Sequence, residues 1–305
     1  MYKLKGESAI ASFAEKRLQY IFVIPALSIL ALLLGYPIIS SVYYALTDKS
    51  LIRPTATFVG LQNFIEIFQD SVFKVSMLNS IFFTLAIVSL QLAVGMIAAL
   101  ALNAIPKFKG FFRTLLIIPW TFPNIVMAFT WNWLFNDLYG PINATLLKLG
   151  IIDSPILFLS KPNLAIMSVI LVMVWFGFPF MMVSILAGLQ SISRSEYEAA
   201  QMDGANALQS FRHITLPHLK NILGLITVLR IIWVFNNFDL IFLLTGGGPG
   251  DATQTIPLYA YRTGWGLNNL GKASAIAITL LVFLVLCSNL YFKALEKKSK
   301  ENNEL

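Results

Sequence analysis

Residues 162–193 read PNLAIMSVILVMVWFGFPFMMVSILAGLQSIS, a run of about 32 residues without a charged side chain. A helix needs about 20 mainly apolar residues to cross the hydrocarbon core of a bilayer. A soluble helical bundle would show a polar stripe at helical spacing, and this run shows none. The run therefore predicts a membrane-spanning helix.

The same pattern recurs along the chain. Charge-free gaps also separate Arg17 from Asp48, Lys74 from Lys107, Arg113 from Asp137 and Lys272 from Lys293. A further apolar stretch, 222–244, is interrupted only by Arg230 and Asp239. We therefore predict an all-α, polytopic membrane protein with six transmembrane helices. The predicted spans are 20–46, 79–104, 115–137, 165–187, 222–244 and 273–292.

Composition agrees with this class and excludes several others. Of 305 residues, 57% are hydrophobic and 12% charged, and the mean hydropathy is +0.73. A single cysteine, Cys287, excludes a disulfide scaffold and a cysteine-based zinc site. His213 and His218 are the two histidines, so we predict no metal site.

The distribution of basic residues predicts the orientation in the membrane. With the N-terminus inside, fourteen Lys and Arg residues fall on the inner side and seven on the outer side. Basic residues are retained in the cytoplasm, so both termini are predicted to be cytoplasmic, and the basic pI requires no nucleic acid partner. We predict a cytoplasmic segment over 1–19, a transmembrane domain over 20–292 and a cytoplasmic tail over 293–305.

The inner loop 189–221 is longer than topology requires, and residues 193–217 predict two short helices. Ser195 with Glu198 forms a capping-box pattern for the first helix, and Ser193 with Glu196 is the alternative register. Gly204 is predicted to end the first helix, and Pro217 the second. The small residues Ala199, Ala200 and Gly204 on this helix pair favour docking into a groove on a partner, with a helix pair on the membrane surface as the alternative.

The predicted fifth span carries an unusual set of polar residues. Charged groups inside a membrane are costly unless they face a cavity or a partner. On one continuous helix, Arg230 and Asp239 would lie on opposite sides and could not neutralise each other. Amide, carboxylate and aromatic groups suit a polyhydroxylated ligand, whereas polar contacts between helices are the alternative. The candidate substrate-path residues are Arg230, Trp233, Asn236, Asn237 and Asp239.

The inner loop resembles a known family. Glu198-Ala199-Ala200, then Gly204, then Ile214-Thr215-Leu216-Pro217 match the EAA signature of binding-protein-dependent ABC importer permeases in both residues and spacing. This resemblance implies a type I permease fold whose cytoplasmic coupling helix sits in a cleft of a separate ATPase. It assigns ATPase coupling to Glu198, Ala199, Ala200, Gly204, Ile214, Leu216 and Pro217.

A second set of residues is similar to the sugar-importer branch of that family. It comprises Asn236-Asn237-Phe238-Asp239 with Leu244-Thr245-Gly246-Gly247-Gly248-Pro249, supported by Pro37 and by residues 58–64. The six-helix length is nearest to the glycerol-3-phosphate, lactose and multiple-sugar members. The resemblance implies a sugar or polyol substrate, a second homologous permease, a cytoplasmic ATPase dimer and a solute-binding protein. The binding protein would meet the outer loops 48–75, 138–163 and 245–272 of a chain embedded in lipid in a bacterial inner membrane.

We predict no catalytic residue in this chain. Residues 266–273 nearly spell a phosphate-binding loop, but they lack the Ser or Thr after Lys272 and fall on the outer side. ATP and magnesium would therefore be bound by the partner ATPase, and no cofactor by this chain. The alternatives are an importer of a non-sugar solute, an ATP-independent carrier or channel, and a membrane-embedded enzyme, for which no nucleophile–base pair is visible.

Overall fold

The computed structural model describes residues 20 and 23–303. The predicted N-terminal segment 1–19 lies outside the described residues, as do the last two residues of the predicted tail. The described part is helical, with two isolated bridges and no β-sheet, so the all-α prediction is confirmed. In chain order its helices are α1 (Val23–Ala45), α2 (Gln62–Gln69), α3 (Ser71–Ala104), α4 (Lys109–Thr121), α5 (Asn124–Leu134), α6 (Pro141–Lys148), α7 (Pro162–Gln190), α8 (Arg194–Met202), α9 (Ala207–Phe235), α10 (Asp239–Leu244), α11 (Ile256–Tyr261) and α12 (Leu270–Asn303).

The predicted spans correspond to these helices with two differences. Within the described residues, α1, α3, α7, α9 and the Leu270–Tyr291 part of α12 are each long and apolar enough to cross a membrane. Helices α4 and α5 make a sixth crossing if the pair acts as one span. The prediction of one helix over 115–137 is wrong in its continuity, because these two helices meet at 90°.

The break between α4 and α5 has a local cause. Phe122 is extended, with φ −75° and ψ 139°. The ring of the following Pro123 disfavours a helical conformation at the residue before it. Pro119, by contrast, is accommodated inside α4. Of these two prolines, Pro123 is the one at which the chain changes direction.

The prediction of one helix over 222–244 is also wrong. Helix α9 ends at Phe235, and α10 begins at Asp239. The amide of Asn236 donates to the carbonyl of Ile232 at 2.8 Å, so this side chain bonds locally to the backbone at the helix end. Arg230 and Asp239 therefore stand on different helices, and the angular argument based on one helix does not apply.

The contacts divide the chain into two units. One unit consists of Phe68–Arg262 with Leu280–Leu305, and its core is built mainly by α3 and α7, with α9 packed against both. A side chain at Gly95 of α3 would collide with Met181 of α7, since an added Cβ atom would lie 2.6 Å from the Met181 Cβ. Glycine at position 95 therefore allows α3 and α7 to approach closely. The prediction of one domain over 20–292 stays a prediction.

The other unit consists of the described part of Met1–Ile67 with Thr263–Thr279. The amide of Asn63 ties the end of α1 by donating to the carbonyls of Ala45 and Thr47 at 2.9 and 2.8 Å. Glu66 accepts from Lys272 at 2.6 Å, and this contact lowers the pKa of the Glu66 carboxyl below its usual range. None of the most apolar 18-residue window of α1 is buried in the structure.

Candidate functional site

The loop with the EAA-like residues forms an exposed two-helix segment that begins at α8. Ser193 is the N-cap residue, so the Ser195–Glu198 capping box is wrong and the alternative register gives the correct start. Ser193 makes no capping bond to the backbone, because its hydroxyl lies 2.6 Å from that of Ser195. No side chain of α8 is fully buried.

Gly204 ends α8 as predicted. It has φ +82°, a left-handed conformation that glycine adopts without steric cost. The Gly204 N–H donates to the Gln201 carbonyl, and the Ala205 N–H to the Ala200 carbonyl, at 3.0 and 2.9 Å. This pair of bonds is the Schellman motif that satisfies carbonyls at a helix end. Open space surrounds the position of a Gly204 side chain.

The second loop helix is the beginning of α9, and it does not end at Pro217. Asn206 and Gln209 form a reciprocal capping box at its start, with bonds of 2.8 and 2.9 Å. A π turn over Phe211–Thr215 follows, in which the Leu216 N–H bonds the Phe211 carbonyl. Because this wider turn shifts the hydrogen-bond register just before Pro217, the helix continues to Phe235. The loop is therefore joined to the predicted fifth span by one unbroken helix.

The structure separates the EAA-like residues by exposure. The Glu198 carboxylate pairs with Arg194 at 3.1 Å, and its side chain remains 63% exposed. Ala199, Gly204, Leu216 and Pro217 are exposed, and Ala200 is half-buried. Ile214 is half-buried against the core of the helical bundle. Most of the set thus forms a surface, with Ile214 as its inner anchor.

Two polar contacts tie α8 to α9. The hydroxyl groups of Tyr197 and Thr215 are 2.8 Å apart. The Glu196 carboxylate lies 3.2 Å from the Nε2 atom of His218. Side chains as well as the backbone therefore connect α8 to the beginning of α9.

The far end of α9 carries a buried arginine. Arg230 is only 5% exposed. Its Nε atom donates to Gln91 of α3 at 2.9 Å, and the Gln91 amide donates to the Met173 carbonyl of α7 at 2.7 Å. An added Cβ atom at Gly177 would strike both the Arg230 and Gln91 side chains, so this glycine leaves room for the pair. The cluster connects α3, α7 and α9.

Aromatic rings flank this cluster. The guanidinium carbon of Arg230 lies 5.9 Å from the Phe180 ring and 5.6 Å from the Trp233 ring, distances typical of cation–π contacts. Phe180 also packs against Trp233 and Trp120, with ring centroids 5.2 and 5.7 Å apart. Trp233 is 47% and Trp120 40% exposed, so the aromatic row leads from the buried arginine to the surface.

The remaining predicted path residues lie at the break between α9 and α10. Asn236 and Asp239 are exposed. The Oδ1 atom of Asn237 is buried and receives no hydrogen bond from the described residues. The structure thus brings Arg230 and Trp233 into one cluster, and Asn236, Asn237 and Asp239 into the break beyond it. Gln91, Phe180 and Gly177 were not predicted, although an amide midway along a charge-free gap was a signal for Gln91.

Groups of three or more histidine, cysteine, aspartate or glutamate side chains that could hold a metal ion do not occur among the described residues. A helical bundle with apolar spans, a buried arginine and an exposed two-helix loop places the chain in the class of polytopic membrane proteins. Residues 91–301 match the family described as "Binding-protein-dependent transport system inner membrane component". The chain belongs to this family of ABC transporter permeases, and the fold prediction is confirmed at this level.

Relatives and solved structures extend the match over most of the chain. A trehalose/maltose transport system permease protein of Thermococcus litoralis is 36% identical over 281 residues, 92% of this chain and 94% of the relative. A sulfoquinovosyl glycerol transport system permease protein of Agrobacterium fabrum is 32% identical over 285 residues, 93% of this chain and 92% of the relative. A chain of a bacterial alginate ABC transporter, in complex with an alginate pentasaccharide-bound periplasmic protein, has a TM-score of 0.81 at 22% identity, covering 92% of this chain and 94% of that chain. This last match shows the fold.

Proposed function

We propose that this chain is the membrane-spanning subunit of an ATP-binding-cassette importer for a sugar or sugar-like polyol. The observation that carries the proposal is the exposed loop, in which Glu198, Ala199 and Gly204 are exposed on a segment that continues into the bundle as one helix. The relatives named for trehalose/maltose and sulfoquinovosyl glycerol transport support a carbohydrate substrate. The family is one of transport permeases and not of catalytic enzymes.

The partners follow from exposed parts of the chain. A cytoplasmic ATPase dimer, which binds ATP and magnesium, docks on the loop with Glu198, Ala199, Ala200, Gly204, Leu216 and Pro217 at or beside the contact. A second homologous permease covers α1, whose apolar window is unburied in this chain. A solute-binding protein meets the outer loops, and lipid surrounds the spans. Both termini are then cytoplasmic in a bacterial inner membrane.

The proposed mechanism is alternating access transmitted along α9. ATP binding closes the ATPase dimer and displaces α8, which moves the beginning of α9 through the Tyr197–Thr215 and Glu196–His218 contacts. Helix α9 has 29 residues and is about 43 Å long at its rise per residue. It therefore carries the displacement from the loop to Arg230 and Trp233 in the substrate path.

Transport by the assembled complex tests this proposal. The permease would be purified with its co-purifying ATPase, reconstituted in proteoliposomes, and assayed with the binding protein and a panel of labelled sugars. We expect uptake that requires ATP and stops when the ATPase is inactive. Equal uptake without ATP would establish a carrier or channel instead, and ATP-dependent uptake of only non-carbohydrate solutes would refute the sugar assignment.

Tyr197→Phe tests the transmission step. The substitution removes one hydroxyl that bonds Thr215, and such a bond contributes about 1 kcal/mol. We expect the complex to assemble normally while the number of sugar molecules imported per ATP hydrolysed falls several-fold. The measurement is the ratio of uptake to phosphate release in the same proteoliposomes. An unchanged ratio in Tyr197→Phe would contradict the transmission role.

A further inference from the structure

A small concavity lies on the exposed loop, between the end of α8 and the beginning of α9. Its volume is about 290 Å³, and it is lined by residues that include Ala200, Asp203, Gly204, Gln209, Ser210 and His213. A void of this size accommodates the end of one long side chain. We call it the loop socket.

The loop socket is held in shape by the backbone around it. The Schellman bonds of Gly204 and Ala205 fix one wall. The capping box between Asn206 and Gln209 fixes the other. Binding to a preformed concavity costs less ordering entropy than binding to a loose loop, so the socket is suited to recognition.

One charge in the loop socket lacks a counter-ion. Glu196 and Glu198 face His218 and Arg194, respectively. Asp203 is exposed, and within the described part of the chain no basic side chain lies within ion-pair distance of it. It is also the C-cap residue of the nine-residue helix α8, and the negative end of the helix dipole favours a cation there.

Two exposed apolar residues, Met202 and Leu208, directly precede the lining residues Asp203 and Gln209 in the sequence. Met202 is 89% exposed, and Leu208 is 73% exposed. Interfaces combine such apolar contacts with a few placed polar groups. Exposed apolar residues that neighbour an unpaired carboxylate in the sequence suit the aliphatic stem and charged head of a lysine or arginine side chain.

We propose that the loop socket receives a lysine or arginine side chain of the partner ATPase, with Asp203 as its counter-ion. This inference rests on the proposed importer function and deepens it. It assigns a second charged contact, separate from Glu198, to the concave side of the loop. The loop would then dock on the ATPase and also bind one side chain of the ATPase in its concave side.

Affinity for the ATPase tests the proposal in the purified whole transporter. Asp203→Asn keeps the size of the side chain and removes its charge, so we expect about 5- to 20-fold weaker ATPase binding and dissociation at lower salt. Asp153→Asn, at an exposed aspartate of a predicted outer loop, is the matched control and leaves binding unchanged. Wild-type binding and salt dependence in Asp203→Asn would overturn the proposal.

Charge reversal and labelling provide independent readouts. Asp203→Lys abolishes ATPase association, and changing one particular basic residue of the ATPase to glutamate restores it; failure of every such reversal overturns the pairing. In a Cys287→Ser background, Ser210→Cys reacts with a maleimide after the ATPase is stripped and is protected while it is bound. ATP-driven uptake together with unprotected Ser210→Cys would refute the loop socket alone, whereas loss of ATP dependence in the unmutated complex would refute the importer itself.

Discussion

Gly204→Asp is expected to abolish transport while leaving the chain in the membrane. Gly204 has φ +82°, and a side chain in this left-handed conformation costs about 1–2 kcal/mol. The spans do not depend on this residue, because its side-chain position is surrounded by open space. The substitution therefore strains the backbone between α8 and α9, and it places a second carboxylate next to Asp203 in the sequence. We expect ATP-dependent uptake to fall at least 100-fold with a normal amount of protein in the membrane.

A matched control separates coupling from folding. Gly150 also has positive φ, at +67°, and also faces open space, but it lies in a predicted outer loop. Gly150→Asp imposes the same backbone strain away from the ATPase, so its amount in the membrane and its ATPase binding are expected to stay at wild-type levels. Gly204→Asn should be milder than Gly204→Asp, because both side chains tolerate the left-handed region but asparagine adds no charge. Normal uptake by Gly204→Asp would refute the coupling role.

Gln91→Leu is expected to cause a large loss of stability in the helical bundle. The substitution removes the oxygen that accepts from Arg230 at 2.9 Å and leaves the guanidinium among apolar and aromatic groups. Hydrogen bonds to charged groups contribute about 1.5–3 kcal/mol, and an unpaired buried charge adds to the loss. We expect a loss of about 3 kcal/mol, measured by denaturant or thermal unfolding of the purified protein.

A double-mutant cycle identifies the cause of that loss. Arg230→Met in the Gln91→Leu background removes the stranded charge, so stability should recover most of its wild-type value. Gln69→Leu, at an exposed glutamine of α2, controls for the glutamine-to-leucine change itself. Equal instability of the single and double mutants would show that Gln91 acts through packing and not through Arg230.

A smaller effect is expected from pH in the unit that contains Glu66. Because Lys272 lowers the pKa of the folded Glu66 carboxyl, the stabilisation is present above the unfolded pKa and is lost as pH falls through the folded pKa. The pair is partly exposed, so its contribution is at most about 1 kcal/mol. Proteolysis of residues 46–66 should increase at acidic pH, and Glu66→Gln should remove most of this dependence.

The spans were predictable because each crossing requires about 20 consecutive, mainly apolar residues, which can be read from the sequence. The choice between the Ser193 and Ser195 registers, the 90° angle after Phe122 and the end of α9 at Phe235 were not, since each depends on the local backbone conformation. Gly204 was predictable because few residues tolerate its conformation. Pro217 misled because its effect depends on the π turn before it. The amide of Gln91 within a charge-free gap was a sequence signal, but the tertiary contact with Arg230 was needed to identify its partner.

Helix α1 has a consequence for how cells handle this subunit. Lipid tails are as apolar as leucine, so the bilayer alone gives a bare helix no reason to remain against one face of a bundle. A chain synthesised in excess over its partner subunits would then carry α1 without a protein partner. Quality-control proteases can recognise such an unassembled hydrophobic helix. Degradation of surplus copies would keep the subunits of the assembly in balanced amounts without any dedicated regulator.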